Sequence, residues 1–241
     1  MSIHSQSTKN RGKKGNLVLQ SPKDVCSALK ENDRIKGWLN FVAREYLMPR
    51  KRIALFYPCS ATKPYLTSRS YKILSNTLES LGDLRNQVHL VTVSEPFGLV
   101  PEEFYGTETW DYDCPGLFEW WCIRNNVEYD YGIVDECITM IAESVARFLK
   151  RNERKRFDIA LACVRYCSSS LRLKPDHTHR RILEKASKIS RVPIEFLPDA
   201  SHVTDLVDER GAFAWDMYGP AHPMMQDLLR SRLEVALNGK Y

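Results

Sequence analysis

The chain has 241 residues, of which 43% are hydrophobic and 27% are charged, and its formal net charge is +5. This length suits one large or two small domains, and the composition is that of a globular protein with a sizeable core, which excludes a mainly disordered chain. No stretch approaches the roughly 18 to 20 uninterrupted apolar residues of a membrane-spanning helix, and the N-terminus lacks the apolar segment of a secretory signal. We therefore expect a cytoplasmic location.

The first 50 residues are predicted to precede the main domain. Residues 1–20 are polar and rich in basic residues, which predicts a disordered basic arm. The sequence SPKDVCSALKEN then opens with a serine cap and a proline, which favours a short helix. DRIKGWLNFVAREYL spaces its apolar residues at helical intervals. These two helices form a predicted N-terminal extension over 21–50, followed by a core domain over 51–241.

Short apolar runs alternate with helical segments in the predicted core domain. The runs at 51–57, 87–93, 157–164 and 192–198 have the pattern of buried parallel strands. Their alternation with helices predicts an α/β fold, a three-layer α/β/α sandwich with a four-stranded parallel sheet. Segment 94–106 is predicted to be a loop because it contains Pro and Gly.

The seven cysteines are odd in number and lie mostly in apolar or helical segments. In a reducing compartment this pattern indicates free thiols rather than a disulfide framework. Cys163 and Cys167 could lie one helical turn apart, but no second pair of metal ligands accompanies them. The sequence therefore predicts neither a metal nor another cofactor.

Charged residues are segregated along the chain. Eleven acidic residues and one basic residue lie between Glu95 and Glu136, whereas 147–156 has six basic and one acidic, and 172–191 has seven basic and two acidic. Two basic runs and a basic arm indicate a nucleic-acid partner. The alternative is that each run is a solvated helix face.

Ligands of parallel α/β sheets bind at the carboxyl ends of the strands, which points to the loops 58–68, 94–116, 164–175 and 198–205. In the first loop, Cys59 is a candidate nucleophile, assisted by the charge of Lys63. Lys63 could instead hold an anion, and Tyr65 could stack on a base. Ser68 could contact a ligand or cap the next helix.

Carboxylates and a histidine follow in the later loops. Glu95 and Asp113 could act as bases or read the edge of a guanine-like base, or could simply cap turns. Asp199 and His202 are an acid/base pair by residue type, with a surface histidine as the alternative. Residue types alone predict a small-molecule or nucleotide pocket and do not name its substrate.

The stretch PCSATKPYLTSRSY resembles the signature of the archaeosine synthase family, which reads Pro-Cys, three residues, Lys-Pro-Tyr, two residues, Ser, two residues, His. Six positions match at the expected spacing: Pro58, Cys59, Lys63, Pro64, Tyr65 and Ser68. Tyr71 stands where the family has His, and a phenol is a poor base at neutral pH. Segments 95–104 and 112–116 are also similar to the family, so the resemblance spans residues 51 to about 200.

The resemblance implies a fold like that of uracil-DNA glycosylase and a transferase that acts on tRNA in archaeosine biosynthesis. Such an enzyme adds an amine, that of free lysine in archaeal members, to the nitrile of 7-cyano-7-deazaguanine. Either Cys59 adds to the nitrile carbon, or Lys63 and a carboxylate orient the substrates for direct attack. The implied catalytic residues are Cys59, Lys63, Glu95 and Asp113, and the implied substrate-binding residues are Pro58, Ser60, Tyr65, Ser68, Tyr71 and His202.

The resemblance also implies partners. Full-length family members carry RNA-binding modules, so a partner subunit that supplies such a module is expected, together with tRNA and free lysine. The alternative is a non-catalytic subunit that grips a modified base or a nucleic acid and delivers it to an enzyme. A glycosylase-like hydrolase is a third reading, but it rests on fold alone, and fold does not fix function.

Overall fold

The computed structural model describes residues 17–107, 112–174 and 178–239. The strands are β1 (Leu17–Val18), β2 (Ile53–Pro58), β3 (Val88–Ser94), β4 (Gly98–Pro101), β5 (Tyr112–Asp113), β6 (Ile159–Cys163) and β7 (Glu195–Leu197). The helices are α1 (Pro22–Glu31), α2 (Asp33–Arg44), α3 (Arg69–Glu79), α4 (Glu119–Arg124), α5 (Tyr131–Asn152), α6 (Thr178–Ser190), α7 (Ala200–Arg210), α8 (Ala212–Tyr218) and α9 (Pro223–Asn238). In the described part of the chain, no helix is both long and apolar enough to cross a membrane.

A mixed five-stranded sheet with the order β4-β3-β2-β6-β7 forms the centre of the fold. β2, β3, β6 and β7 are parallel, as predicted, and their positions agree with the four predicted strands. The prediction of a wholly parallel four-stranded sheet is wrong, because β4 adds an antiparallel fifth strand beside β3. The predicted loop at 94–106 therefore contains a strand.

β4 forms because the chain reverses tightly after β3. Gly98 has a φ of +68°, a left-handed conformation that glycine adopts at no steric cost. Leu99 and Val100 then pair with Val93 and Thr92 and are fully buried. The sequence GLVP therefore joins the sheet through its apolar residues, although its flanking prolines and glycine are typical of a loop.

Helices cover both faces of the sheet. Successive side chains of a strand point to opposite faces, so His89 and Thr92 of β3 lie on opposite faces of the sheet. His89 contacts the hydroxyl of Tyr46, at the end of α2, whereas Thr92 contacts the hydroxyl of Tyr71 in α3. The three-layer arrangement predicted from the sequence follows from these contacts.

The two N-terminal helices are confirmed and pack into the main hydrophobic core. Val25 of α1 and Ile35 of α2 are fully buried in the same cluster as Phe56 of β2. The division at residue 50 into an extension and a core domain stays a prediction. A smaller cluster lies under α7 and α8, which were not predicted, and it is centred on Trp215.

The N-terminal arm was predicted to be disordered over 1–20. Residues 1–16 of that arm lie outside the described residues. Leu17 and Val18 form β1, which pairs in parallel with β5, and the N–H of Leu19 donates to the carbonyl of Asp113 at 2.8 Å. The prediction is wrong for residues 17–20, because backbone pairing and the burial of Leu19 fix this segment.

Replacing Gly98 by alanine is expected to destabilise the protein by about 1–2 kcal/mol, because the left-handed backbone is costly for any residue with a Cβ. The new Cβ would also lie 3.0 Å from Cδ2 of Leu39. Gly37→Ala is the matched control, since Gly37 lies in α2 with open space around it and alanine there should stabilise by about 0.5–1 kcal/mol. Urea unfolding measures both, and equal effects of the two substitutions would contradict the expectation.

His222 is expected to make the stability fall on acidification. Its Nδ1 accepts the N–H of Met224 at 3.3 Å and so caps α9. Burial, and then the charge of Arg210, lower the pKa of His222. The unfolded chain therefore takes up this proton first, so the contribution is complete above about pH 6.5 and is lost as the pH falls toward the folded pKa.

His222→Asn isolates this contribution, because asparagine is a strong helix cap and does not titrate. The free energy of unfolding, measured in urea between about pH 8 and about pH 5, should fall more steeply for the wild type than for the variant. Parallel curves would rule out His222 as the source.

Candidate active site at the carboxyl ends of the strands

A thiol, an imidazole and a carboxylate meet at the carboxyl ends of three neighbouring strands. Cys59 follows β2, and its backbone N–H donates to the carbonyl of Val93 at 2.9 Å. Glu95 follows β3, and His179 is the second residue of α6, the helix that comes after β6. The sheet therefore brings together residues that are far apart in sequence, at the edge where ligands of such sheets bind.

The three side chains are close enough to act together. Sγ of Cys59 lies 3.5 Å from Nε2 of His179, and the same nitrogen lies 3.1 Å from Oε2 of Glu95. Glu95 and His179 are buried, with 1% and 5% of their surface exposed, whereas Cys59 is half-buried. In the described part of the chain, neither oxygen of Glu95 accepts a hydrogen bond of good geometry.

The pKa of His179 is raised well above its usual value. Burial alone would lower this pKa, but the charge of Glu95, followed by the interactions with Cys59, outweighs the burial. A buried carboxylate that lacks other partners favours a positive charge beside it. The pair of His179 and Glu95 is therefore held together by charge in a dry environment.

Lys63 lies beside the site through an aromatic contact. Its Nζ sits 4.0 Å from the ring centroid of Tyr112, whose hydroxyl is 3.0 Å from that of Tyr65 and 2.5 Å from Oγ of Ser94. Lys63 is half-buried, so its ammonium keeps access to solvent. The structure thus brings Lys63 close to the strand ends, but no contact joins it to Cys59 among the described residues.

Tyr65 and Tyr71 form part of the core. Tyr65 is 1% exposed and stacks on Tyr71, which is fully buried, at 5.4 Å between ring centroids. Burial raises the pKa of both phenols. The predicted stacking of Tyr65 on a base is not available in this arrangement, because both rings are enclosed.

Tyr71, which replaces the family's histidine, supports the loop before Cys59. Its hydroxyl donates to the carbonyl of Pro58 at 3.2 Å and contacts Thr92. Ser68 accepts the N–H of Tyr71 and caps α3, which was the alternative reading for this serine. Oγ of Ser60 accepts the N–H of Thr62 within the loop. These contacts stabilise the loop after β2 and the start of α3.

Asp113 and His202 lie apart from the Cys59 cluster. Asp113 is exposed, and its Oδ2 accepts Nε2 of Gln20 at 3.3 Å. Nδ1 of His202 lies 2.6 Å from Oδ1 of Asp199, which caps α7. Among the contacts of the described residues, none links Asp113 or His202 to Cys59, Glu95 or His179.

His179 was not predicted as a site residue from the sequence, where it lies within the basic segment 172–191. The available signal was positional, because α6 begins directly after the loop that follows β6. A helix that starts at the carboxyl edge of a sheet presents its first turn to the ligand site. Nothing in the local sequence distinguishes this histidine from a surface residue.

An aromatic rim continues outward from His179. The ring of Phe118 packs edge-on against His179 at 5.9 Å, and Trp120 stacks on Phe118 at 6.3 Å. Nζ of Lys174 lies 5.7 Å from the ring centroid of Trp120. Both aromatic side chains are half-buried, so they combine an exposed face with a neighbouring positive charge.

The first of the two basic runs lies away from the Cys59 cluster. Run 147–156 ends just before β6 begins, so it leads to the amino ends of the strands, opposite the Cys59 cluster. In the second run, Arg181 and Lys185 both pair with Asp135, and Arg180 pairs with Glu184. Much of the charge of α6 is therefore matched by carboxylates.

The fold and the cluster define an α/β protein with a thiol, imidazole and carboxylate site at the edge of its sheet. The sequence model of a family described as a domain of unknown function, DUF5591, matches residues 35–162. The chain belongs to this family.

Three curated proteins named archaeosine synthase subunit alpha are similar to the chain. The protein of Thermoplasma acidophilum is 39% identical over 82 residues, that of Thermococcus kodakarensis 34% over 82 residues, and that of Methanosarcina acetivorans 37% over 62 residues. These matches cover 33%, 33% and 26% of this chain, and 16%, 14% and 9% of the relatives. The resemblance to the archaeosine synthase family is confirmed, over a small part of the length of these relatives.

One solved structure, that of AF0587, a protein of unknown function, is also similar. It is 18% identical, and the match covers 85% of this chain and 50% of that chain with a TM-score of 0.47. The fold like that of uracil-DNA glycosylase stays a prediction.

Proposed function

We propose that this chain is a tRNA-modifying transferase of the archaeosine synthase type, which adds an amine to the nitrile of 7-cyano-7-deazaguanine in tRNA. One observation carries the proposal. Cys59 comes from the signature stretch and Glu95 from the second similar segment, and both lie within reach of His179 at the ligand-binding edge of the sheet. Free lysine is the proposed amine donor.

Two routes account for every bond and proton of the amine addition. In the first, Sγ of Cys59 adds to the nitrile carbon, the thiol proton moves to the nitrile nitrogen, and a thioimidate forms. The lysine amine then forms the new C–N bond, and the C–S bond breaks as the amine proton returns to sulfur. His179, at 3.5 Å from Sγ, is placed to pass these protons. In the second, the amine attacks the nitrile directly and its proton is relayed to the nitrile nitrogen.

The remaining predicted residues, apart from the buried Tyr65, divide into three groups. Lys63 is proposed to lie beside the phosphate or the base of the target nucleotide, because its charge is held at the site through Tyr112. Pro58, Ser60, Ser68 and Tyr71 are proposed to shape the loop that presents Cys59. Asp113 and His202 have no proposed contact with the reacting atoms.

The aromatic rim of Phe118 and Trp120 is proposed to stack on a base of the tRNA. Trp120→Ala should weaken tRNA binding by about 1–3 kcal/mol, which is about 5- to 150-fold, the usual loss for one stacking side chain. Val235→Ala is the control, because Val235 is 63% exposed on α9, whose last turns lie at the amino ends of the strands. A filter-binding titration measures both, and equal affinities would show that the rim does not contact the tRNA.

A partner subunit is proposed to supply the RNA-binding parts. The curated relatives are named as alpha subunits, and the matched segment is at most 16% of their length. The amine addition is therefore to be assayed both with this chain alone and with the partner added. The non-catalytic alternative is less well supported, because a base-delivery subunit has no need for a buried carboxylate and imidazole beside a thiol.

Intact mass spectrometry of nitrile-bearing tRNA tests the proposal. The tRNA is incubated with the protein and free lysine, and a mass gain of one lysine is expected. If the tRNA binds but gains no mass, the protein is either a binding subunit or an enzyme that needs its partner. Adding the partner distinguishes these two cases. If the protein neither binds nor modifies the tRNA, alone or with its partner, the proposal is wrong.

A further inference from the structure

We propose that Cys59, Glu95 and His179 form a binding site for one divalent transition-metal ion, with zinc as the best match, and leave a fourth coordination position open. Each residue offers one ligand atom, and the three atoms all lie within 4.8 Å of one another. They come from the ends of β2 and β3 and from the first turn of α6, so their positions are fixed by the fold.

The distances between the ligand atoms are close to those of tetrahedral coordination. Zinc lies about 2.3 Å from a thiolate sulfur and about 2.0–2.2 Å from imidazole nitrogen or carboxylate oxygen, which at tetrahedral angles places neighbouring ligand atoms about 3.3–3.7 Å apart. The distance from Sγ of Cys59 to Nε2 of His179 is 3.5 Å, and from that nitrogen to Oε2 of Glu95 it is 3.1 Å. The first separation is that of a ligand pair, and the second lies within about 0.2 Å of one.

A proton serves this geometry less well than a metal does. The same nitrogen of His179 faces both the sulfur and the carboxylate, and the one hydrogen that it can carry points well at only one of them. In a nucleophile, base and orienting acid arrangement, the third group binds the other ring nitrogen. Three ligand atoms that surround one common point are instead typical of a metal site.

The carboxylate of Glu95 is a second observation, because His179 is its charged neighbour in the described part of the chain. Glu95 is 1% exposed, and in the described part of the chain neither of its oxygens accepts a well-aligned hydrogen bond. Burying an ionised carboxylate without such partners is costly, and coordination of a cation removes that cost. Glu95 is thus aimed at the point where the ion would sit.

The donor set indicates the metal and its type of site. Sulfur and imidazole ligands favour zinc over magnesium or calcium, which prefer oxygen. Three protein ligands with an open position are typical of catalytic rather than structural zinc. Cys59 is half-buried, so a water molecule or a substrate atom can approach from the solvent side. The metal proposal stands independently of the proposed reaction, since its test needs no tRNA.

The first experiment measures zinc bound to the metal-stripped wild-type chain by competition with a chromophoric chelator. One zinc ion per chain is expected. Cys59→Ser should weaken binding by more than the about 10- to 100-fold that loss of an outer-shell partner costs. Cys167→Ser is the matched control, because Cys167 is also half-buried but donates to the carbonyl of Lys174. Absence of binding, or equal binding by both variants, would overturn the proposal.

A second measurement needs no variant. Zinc should slow alkylation of Cys59 by iodoacetamide, mapped by peptide mass spectrometry, while the alkylation of Cys167 in the same sample stays unchanged. Cobalt should give a thiolate-to-metal charge-transfer band that disappears on alkylation. Equal alkylation of Cys59 with and without zinc would show that its sulfur is not a ligand.

Discussion

Replacing Cys59 by serine is expected to lower the rate of amine addition to nitrile-bearing tRNA by at least about 100-fold, the loss typical of removing one group that acts in the transition state. On the covalent route the variant lacks the thiolate, which attacks an electrophilic carbon far better than a hydroxyl does. If the sulfur holds a metal ion, the variant loses a ligand. Both roles of Cys59 therefore predict the same loss of rate under single-turnover conditions.

The control and the binding measurement make this expectation specific. Cys167→Ser should keep the wild-type rate, because Cys167 has no contact with Glu95 or His179 among those resolved for the described residues. Binding of tRNA by the Cys59→Ser variant should be unchanged, since one sulfur atom contributes little to a large polar interface. A fully active Cys59→Ser variant would remove this residue from the chemistry.

The two roles of Cys59 are separated by trapping. A nitrile-bearing base given without lysine should add its mass to Cys59 on the covalent route, and the adduct should be absent in Cys59→Ala. On the direct route no adduct forms, and if Cys59 there holds a metal ion that the reaction needs, a chelator abolishes the activity. The balance between these outcomes decides which of the two chemical routes operates.

Replacing Phe148 by alanine is expected to destabilise the fold by about 3–5 kcal/mol, through the loss of apolar burial and the cavity that remains. Phe148 is fully buried in α5 and lies parallel to Tyr46, with ring centroids 6.2 Å apart. It therefore joins the longest helix to the end of α2. The free energy of unfolding in urea, followed by circular dichroism, measures the effect.

Phe213→Ala is the control for Phe148→Ala. Phe213 is 70% exposed on α8, so its loss should change the free energy of unfolding by no more than about 0.5 kcal/mol. If the two substitutions cost the same, the packing around α5 is looser than its burial indicates.

The sheet could be predicted from the sequence because buried parallel strands are short, continuous apolar runs. β2 shows this most clearly, since IALFY is bounded by charged residues and a proline and is fully buried. β4 could not be recognised in the same way. Its four residues begin at Gly98 and end at Pro101, shortly after Pro96, and only the apolar pairing with β3 makes them a strand.

Two of the three residues of the candidate site could be predicted from the sequence for a similar reason. Cys59 and Glu95 directly follow apolar runs, so the strand rule places them at the edge of the sheet. His179 lies in a basic segment whose helical pattern resembles an exposed surface. Its burial depends on contacts with Phe118 and Glu95 that are distant in sequence. The burial of Tyr65 is likewise a tertiary effect, because a tyrosine in a polar loop gives no sign of being enclosed.

The separation of Cys59 and His179 has a consequence for the order in which the molecule matures. The two residues are 120 positions apart, so at roughly 5–20 residues per second the ribosome adds the histidine about 6–24 seconds after the cysteine. Closing so long a loop costs little more than closing a shorter one, but it delays the contact. A nascent chain would carry a thiol without its imidazole until α6 has docked, and the reactivity of that thiol would report the last stage of folding.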